Sequence, residues 1–106
     1  MVPWQVIRSA TARRDIRQFI RYLQREAGAA AALTYAGRLE HDIQVLIASS
    51  PETFAWFHET GGPYRAKLFK LARTTWWIVY VVDPGRRRVE IVRLWNPARE
   101  PDSHGL

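Results

Sequence analysis

The sequence has no cysteine, which excludes a disulfide-bonded scaffold, a thiolate metal site and a cysteine nucleophile. It has no apolar run approaching the ~20 residues that a membrane-spanning helix needs. The first residues, Met1 to Trp4, lack a basic stretch followed by an apolar one, so no secretory signal is expected. With 106 residues, 47% hydrophobic and 25% charged, the chain fits one small globular domain. We therefore expect a compact cytoplasmic domain.

Lysine is scarce as well, since fourteen of the sixteen basic residues are arginine and only Lys67 and Lys70 are lysine. The planar guanidinium of arginine suits phosphate and carboxylate groups, although genomic base composition would produce the same bias. Residues 1–62 carry a net charge of +1 and residues 63–106 a net charge of +5. We expect an anionic partner to meet the second half of the chain. A merely soluble basic surface is the alternative.

Hydrophobic spacing predicts a short strand and two helices in the first half of the chain. Residues 3–8 alternate as a strand, and Ser9 or Thr11 can cap the helix that follows. That helix has apolar residues at steps of three and four and ends at Gly28. The second helix ends before Pro51. Its apolar stripe consists of Ala32, Ala36, Leu39, Ile43 and Leu46.

The second half of the chain changes from a helical period to a strand period. Residues 52–63 are a connector, and strands are predicted over 64–71, 76–82 and 88–95, with a turn at 83–86. The middle strand is apolar on both faces, which is typical of a central strand. The order β-α-α-β-β-β predicts an α+β domain with two antiparallel helices on one face of a mostly antiparallel sheet.

The face of the sheet that the helices leave uncovered is expected to carry positive charge. Arg65 and Lys67 alternate on the first hairpin strand, and Arg93 interrupts an otherwise apolar last strand. Because a buried unpaired arginine is costly, Arg93 either faces a groove or pairs with a carboxylate, either Glu90 or one on a helix. With Arg99 just past that strand, these cations would converge at one end of the sheet.

Aromatic residues lie on the same strands, a combination that suits phosphate binding and base stacking. In a domain this small, the five tryptophans are expected to be mainly core. The sequence has no glycine-rich phosphate loop, no nucleophile elbow and no histidine spacing typical of zinc. His41 and His58 are expected on the surface or in packing, and only His104 can swing toward the basic end. Glu90 and Lys67 are the other candidates for proton transfer.

Several segments, taken in order, resemble one family. The first helix contains ARRDIRQFIRYL, similar to the family pattern Ala-x-x-Asp-Leu-x-x-Ile-x-x-Tyr-Ile. The matching segments are 12–23, 46–51, 64–65, 77–80 and 93–101, the last similar to an Arg-Val-Trp-His-x-x-Arg-Asp-Pro ending. Over roughly residues 3–101 the chain resembles the RelE/ParE superfamily, the toxins of bacterial type II toxin–antitoxin pairs.

This resemblance implies a toxin that arrests growth until a co-expressed antitoxin wraps it. RelE-like members cut mRNA in the ribosomal decoding site with arginines, lysines and a Tyr or His near the C-terminus. ParE-like members lack that set and poison DNA gyrase. This chain has Asn96 where many relatives carry His, and no tyrosine follows Tyr80. It is therefore more similar to the ParE-like members.

Two alternatives stay open. One is a ribosome-dependent mRNA endonuclease, an enzyme in which arginines and Lys67 stabilise the developing charge. The other is a relative without toxicity that only binds a partner. If the chain is a nuclease, the candidate catalytic residues are Arg65, Lys67, Arg93 and Arg99. The candidate target- or phosphate-binding residues are Arg65, Lys67, Arg93, Asn96 and Arg99. No metal or cofactor is implied. The toxin domain is expected over 1–98, followed by a polar tail over 99–106; the sequence does not indicate the oligomeric state.

Overall fold

The computed structural model describes residues 2–57, 62–71 and 73–98. Its elements are β1 (Gln5–Arg8), α1 (Ala10–Ala27), α2 (Ala29–His41), a π-helical segment (Asp42–Ile47), β2 (Ala55–Trp56), β3 (Tyr64–Lys70), β4 (Thr75–Asp83) and β5 (Arg88–Trp95). The strands form one sheet in the order β1-β5-β4-β3-β2, in which β1 pairs parallel and the other pairs are antiparallel. The predicted α+β class and element order are confirmed. The connector over 52–63 additionally contains β2, whose two residues are too few to show a period.

The sequence explains where α1 begins and ends. Ser9 caps its first turn, because the Ser9 hydroxyl accepts a hydrogen bond from the Ala12 amide at 3.0 Å. Gly28 ends α1 and begins α2 with a φ of 92°, a backbone conformation that favours glycine. One residue is therefore enough to reverse the chain between the two helices. No helix in the described residues is long and apolar enough to cross a membrane.

The π-helical segment changes which residues of the second helix face the core. The sequence predicts Leu46 in the core, but the structure leaves it 38% exposed and buries Ile47 instead. A π-helical turn bonds residue i to i+5 and so contains an extra residue. This shifts the inward-facing position from Leu46 to Ile47 after Ile43. The expectation for Leu46 is wrong for that reason.

The main core lies between the helices and the sheet. Phe19 is fully buried in it, with its ring centroid 4.9 Å from that of Trp76 and 6.0 Å from that of Phe69. The opposite face of the sheet carries a second buried cluster, which consists of Phe57, Ala66, Val79 and Trp95. We expected Arg65 and Lys67 to make this face basic, and that expectation is wrong, because both side chains lie on the helix side. Trp76 and Trp95 are buried, Trp4 and Trp77 pack against the two clusters, and only Trp56 of the five tryptophans is exposed, so tryptophan serves mainly the core.

Candidate functional site

Lys67 points to the helix side of the sheet. Its ammonium nitrogen donates a hydrogen bond to Asp42 Oδ2 at 2.8 Å, and both side chains are mostly buried. This ion pair joins β3 to the π-helical segment. We expected Arg65 and Lys67 on the uncovered face, because a period of two separates the faces without saying which one the helices cover. The residue that indicated the covered face was Phe69. It is apolar, lies on the same face of β3 as Arg65 and Lys67, and is buried in the main core.

Arg65 lies on the same face of β3, close to the β2 edge of the sheet. Its guanidinium donates a hydrogen bond to the Phe54 carbonyl at 2.7 Å and lies 3.9 Å from the ring centroid of Trp56. Trp56 is 50% exposed. Arg65 and Trp56 thus form a cation–aromatic pair at the surface of the sheet edge.

Tyr80 lies opposite Arg65 on the neighbouring strand β4. Its ring is fully buried, and its hydroxyl donates a hydrogen bond to the Pro51 carbonyl at 2.7 Å. Burial raises the pKa of Tyr80 above its ordinary value of 10.0, and the positive charge of Arg65 only partly opposes this. At neutral pH the phenol therefore stays protonated and ties the end of the helical stretch to the sheet.

Replacing Tyr80 with phenylalanine tests this tie and its pH dependence. At neutral pH the Pro51 carbonyl loses its donor, so we expect the free energy of unfolding to fall by about 1–3 kcal/mol. Because the native pKa of Tyr80 is raised, the unfolded chain loses this proton first, and native stability falls as the pH rises above 10.0. Urea denaturation from about pH 8 to about pH 11 should show a shallower decline in Tyr80→Phe. Equal declines in both proteins would contradict the assignment.

Arg93 is held in a buried ion pair rather than in a groove. Its Nε donates to Asp15 Oδ2 at 2.7 Å, and the two side chains are 8% and 6% exposed. The Leu94 amide donates to the same carboxylate oxygen at 3.1 Å. A register shift opposite Val79 leaves Val92 outside the ladder next to Arg93. Of the two alternatives for Arg93, the structure shows the pairing with a helix carboxylate.

The last predicted residues lie beyond β5. Asn96 is buried, and its side-chain oxygen accepts a hydrogen bond from the Ala98 amide at 2.8 Å, so it holds the turn that ends the strand. Arg99 lies outside the described residues, as do His58 and His104. The structure thus brings Arg65 and Lys67 together on β3, whereas Arg93 and Asn96 are engaged at β5 and just after it.

Glu90, the other candidate for proton transfer, faces away from the helices. It lines a shallow depression on the second face of the sheet, together with Ile7, Val81, Asp83, Arg86 and Arg88. Two acidic and two basic side chains balance each other there. Within residues 2–57, 62–71 and 73–98, no group of three or more His, Cys, Asp or Glu side chains could hold a metal ion.

Three large apolar side chains are exposed on the two elements that lie next to β3. The Lys67–Asp42 pair places the π-helical segment over β3, and Trp56 on β2 lies directly beside β3. Val45 is 45% exposed in that segment, next to the exposed Leu46. We call Val45, Leu46 and Trp56 the apolar edge. With Arg65 stacked on Trp56, this surface is suited to binding another molecule rather than to proton transfer.

The charge distribution in space differs from the distribution along the chain. Three acidic residues of the first half are used in ion pairs: Asp15 with Arg93, Glu40 with Arg8, and Asp42 with Lys67. Two of the nine basic residues of the second half, Lys67 and Arg93, are thereby neutralised, whereas Lys70, Arg73, Arg86 and Arg87 stay exposed. The first half carries exposed positive charge as well, on α1, in Arg14, Arg17, Arg21 and Arg25, which we call the α1 arginine row.

Comparison with known proteins shows which family this chain matches and which solved structures have a similar fold. The family model described as the ParE toxin of the type II toxin–antitoxin system parDE matches residues 6–101. A solved structure of the chromosomal ParDE system of P. aeruginosa is similar, with a TM-score of 0.67 and 14% identity over 88% of this chain and 95% of that chain. The RelBE2 toxin–antitoxin complex of Mycobacterium tuberculosis gives a TM-score of 0.61 and 16% identity over 91% of this chain and 93% of that one. Among curated proteins there is no significant match. The chain belongs to the ParE toxin family of type II toxin–antitoxin systems.

Proposed function

We propose that this toxin arrests growth by poisoning DNA gyrase and that a cognate antitoxin neutralises it. The family match over residues 6–101 supports the ParE side of the superfamily. The observation that carries the choice of mechanism is the internal engagement of two of the candidate cations. Lys67 is paired with Asp42, and Arg93 is buried against Asp15. Neither cation is available to stabilise charge on a bound RNA phosphate.

In the described residues, the tyrosine and the asparagine near the end of the sheet are not suited to accept a proton. An endonuclease that uses the 2′-hydroxyl needs a group to accept its proton. Asn96 has an amide that does not titrate, and its oxygen is already used in the turn. Tyr80 is buried and donates its proton to a carbonyl. The chemistry that fits these residues is recognition of a target, not cleavage of RNA.

The test of this choice is mRNA integrity in a cell-free translation reaction with the purified protein. We expect intact mRNA with and without ribosomes, because Lys67 and Arg93 are held in ion pairs and the Asn96 amide does not accept a proton. An active RelE-like toxin added to a parallel reaction is the control for detection. Codon-phased cuts that require both this protein and ribosomes would overturn the gyrase proposal and favour the endonuclease.

The partner that we propose for the apolar edge is the antitoxin. The two similar solved structures come from a ParDE system and a RelBE2 toxin–antitoxin complex, which supports a partner of this kind. An amphipathic segment with leucines would cover Val45, Leu46 and Trp56, and its Asp or Glu side chains would reach Arg65. A short adjacent gene that encodes a DNA-binding segment and a helical tail is the expected source; without such a gene, the relative lacking toxicity becomes the better interpretation.

A further inference from the structure

The α1 arginine row is a strong positive surface that the proposed function does not use. Arg14, Arg17, Arg21 and Arg25 follow one another at steps of three, four and four residues, so they lie on one stripe of the helix. The buried residues of α1, among them Ile16, lie on the opposite side. Arg13, which is also exposed, flanks the row.

These arginines have no partner within the part of the chain that the structure describes. None of their side chains forms a hydrogen bond, an ion pair or a cation–aromatic contact there. Arginines four residues apart, such as Arg17 and Arg21, repel each other and destabilise an isolated helix. The row is thus an unfavourable local arrangement that an external anion would relieve.

The residues around the row indicate what kind of anion fits. All other exposed residues of α1 are small or polar, and none is large and apolar: Ala10, Gln18, Gln24, Glu26 and Ala27. The core of a protein–protein interface is usually apolar and rich in aromatics, so this surface is a poor docking site for a protein. Single-stranded nucleic acid is bound with stacking aromatics, which α1 does not expose. A face of arginine and glutamine fits the phosphates of a duplex.

The length of the α1 arginine row and the width of a helix also fit duplex DNA. At 1.5 Å per residue the row extends over about 16 Å, which corresponds to about five phosphates along one strand. The major groove of B-form DNA, about 12 Å wide, accepts a helix. The deep major groove of A-form RNA is too narrow for one.

We propose that α1 binds duplex DNA through its arginine row, by phosphate contacts without sequence preference. This inference rests on the geometry of α1 and does not depend on gyrase as the target. If both are correct, the toxin holds DNA with one helix and leaves the apolar edge, on the π-helical segment and β2, for its protein partner.

The test is binding of the purified full chain to a fluorescent 20-base-pair DNA duplex, followed by anisotropy between about 50 and 200 mM salt. The variant Arg17→Gln/Arg21→Gln/Arg25→Gln is expected to bind at least about tenfold more weakly. Its slope of log K against log salt should be less steep by about 0.9 for each arginine removed. Glutamine keeps the helix propensity, and circular dichroism checks the fold.

The matched control removes the same charge elsewhere, as Lys70→Gln/Arg73→Gln/Arg86→Gln, all at exposed positions. The proposal expects this control to keep most of the affinity and the slope. Equal losses in both variants would show that only net charge matters and would overturn the site. So would undetectable binding by the unmodified protein, tighter binding to a duplex RNA of the same sequence, or preference for an acidic polyglutamate competitor over DNA.

Discussion

Replacing Asp15 with alanine is expected to lower the free energy of unfolding by about 3–5 kcal/mol. The Arg93 guanidinium, 2.7 Å from Asp15 and 8% exposed, would be left buried with its main counter-charge removed. The Leu94 amide would lose the same carboxylate as its acceptor. The removal of one partner is costly because the charge that stays behind is not hydrated. Urea or thermal denaturation of the two purified proteins measures the difference.

Two further variants show whether the charge or the volume matters. Asp15→Leu/Arg93→Met replaces both charges by apolar groups of similar size, and we expect it to regain most of the stability that Asp15→Ala loses. Arg13→Ala, on the exposed side of α1, should change the free energy of unfolding by no more than about 0.5 kcal/mol. If Asp15→Ala lowers the free energy of unfolding by less than about 1 kcal/mol, the Arg93 guanidinium is hydrated in the variant. A role of Arg93 in a groove then becomes tenable again.

The second large effect is expected for antitoxin binding at the apolar edge. Val45→Ser/Leu46→Ser should weaken the complex at least about a hundredfold, which corresponds to about 2.7 kcal/mol. Each side chain contributes about 1.5–3 kcal/mol when fully buried by a partner, and the estimate allows for incomplete burial. Because both residues are exposed in the free protein, its free energy of unfolding should change little. Calorimetric titration with the product of the adjacent gene measures the affinity.

Leu33 supplies the control for this experiment. It is an exposed leucine on α2, with 78% of its surface accessible, and it lies outside the apolar edge. Leu33→Ser should leave the affinity within about threefold of the unmodified protein, in the range of ordinary surface substitutions. A hundredfold loss in Leu33→Ser together with none in Val45→Ser/Leu46→Ser would move the docking surface away from the apolar edge.

Much of the fold follows from local patterns in the sequence. The Ser9 cap, the break at Gly28 and the central apolar strand are each determined by a few neighbouring residues. The exposure of Leu46 could not be predicted from local patterns, because the π-helical turn that causes it depends on how Asp42 and its neighbours pack on β3. The formation of β2 also depends on contacts distant in the sequence, since its two residues become a strand only by pairing with β3.

The site was harder to predict because charges pair across the fold. A net charge summed over half a chain treats every acid as neutralising its sequence neighbours, whereas Asp15 and Asp42 neutralise residues on β5 and β3. One signal was present: Asp15 falls among the apolar positions of α1, next to Ile16, and a carboxylate there needs a buried cation. The exposed arginines of α1 were visible in the sequence as the polar side of an amphipathic helix.

Formation of the gyrase–DNA cleavage complex shows directly whether gyrase is the target. Purified gyrase, ATP and supercoiled plasmid are incubated with the protein, and the products are separated after denaturation of gyrase. We expect linear, gyrase-linked DNA that accumulates with toxin concentration and disappears when the antitoxin is added first. Plasmid that stays uncleaved at toxin concentrations that arrest growth, while ribosome-dependent mRNA cuts appear, would contradict gyrase as the target.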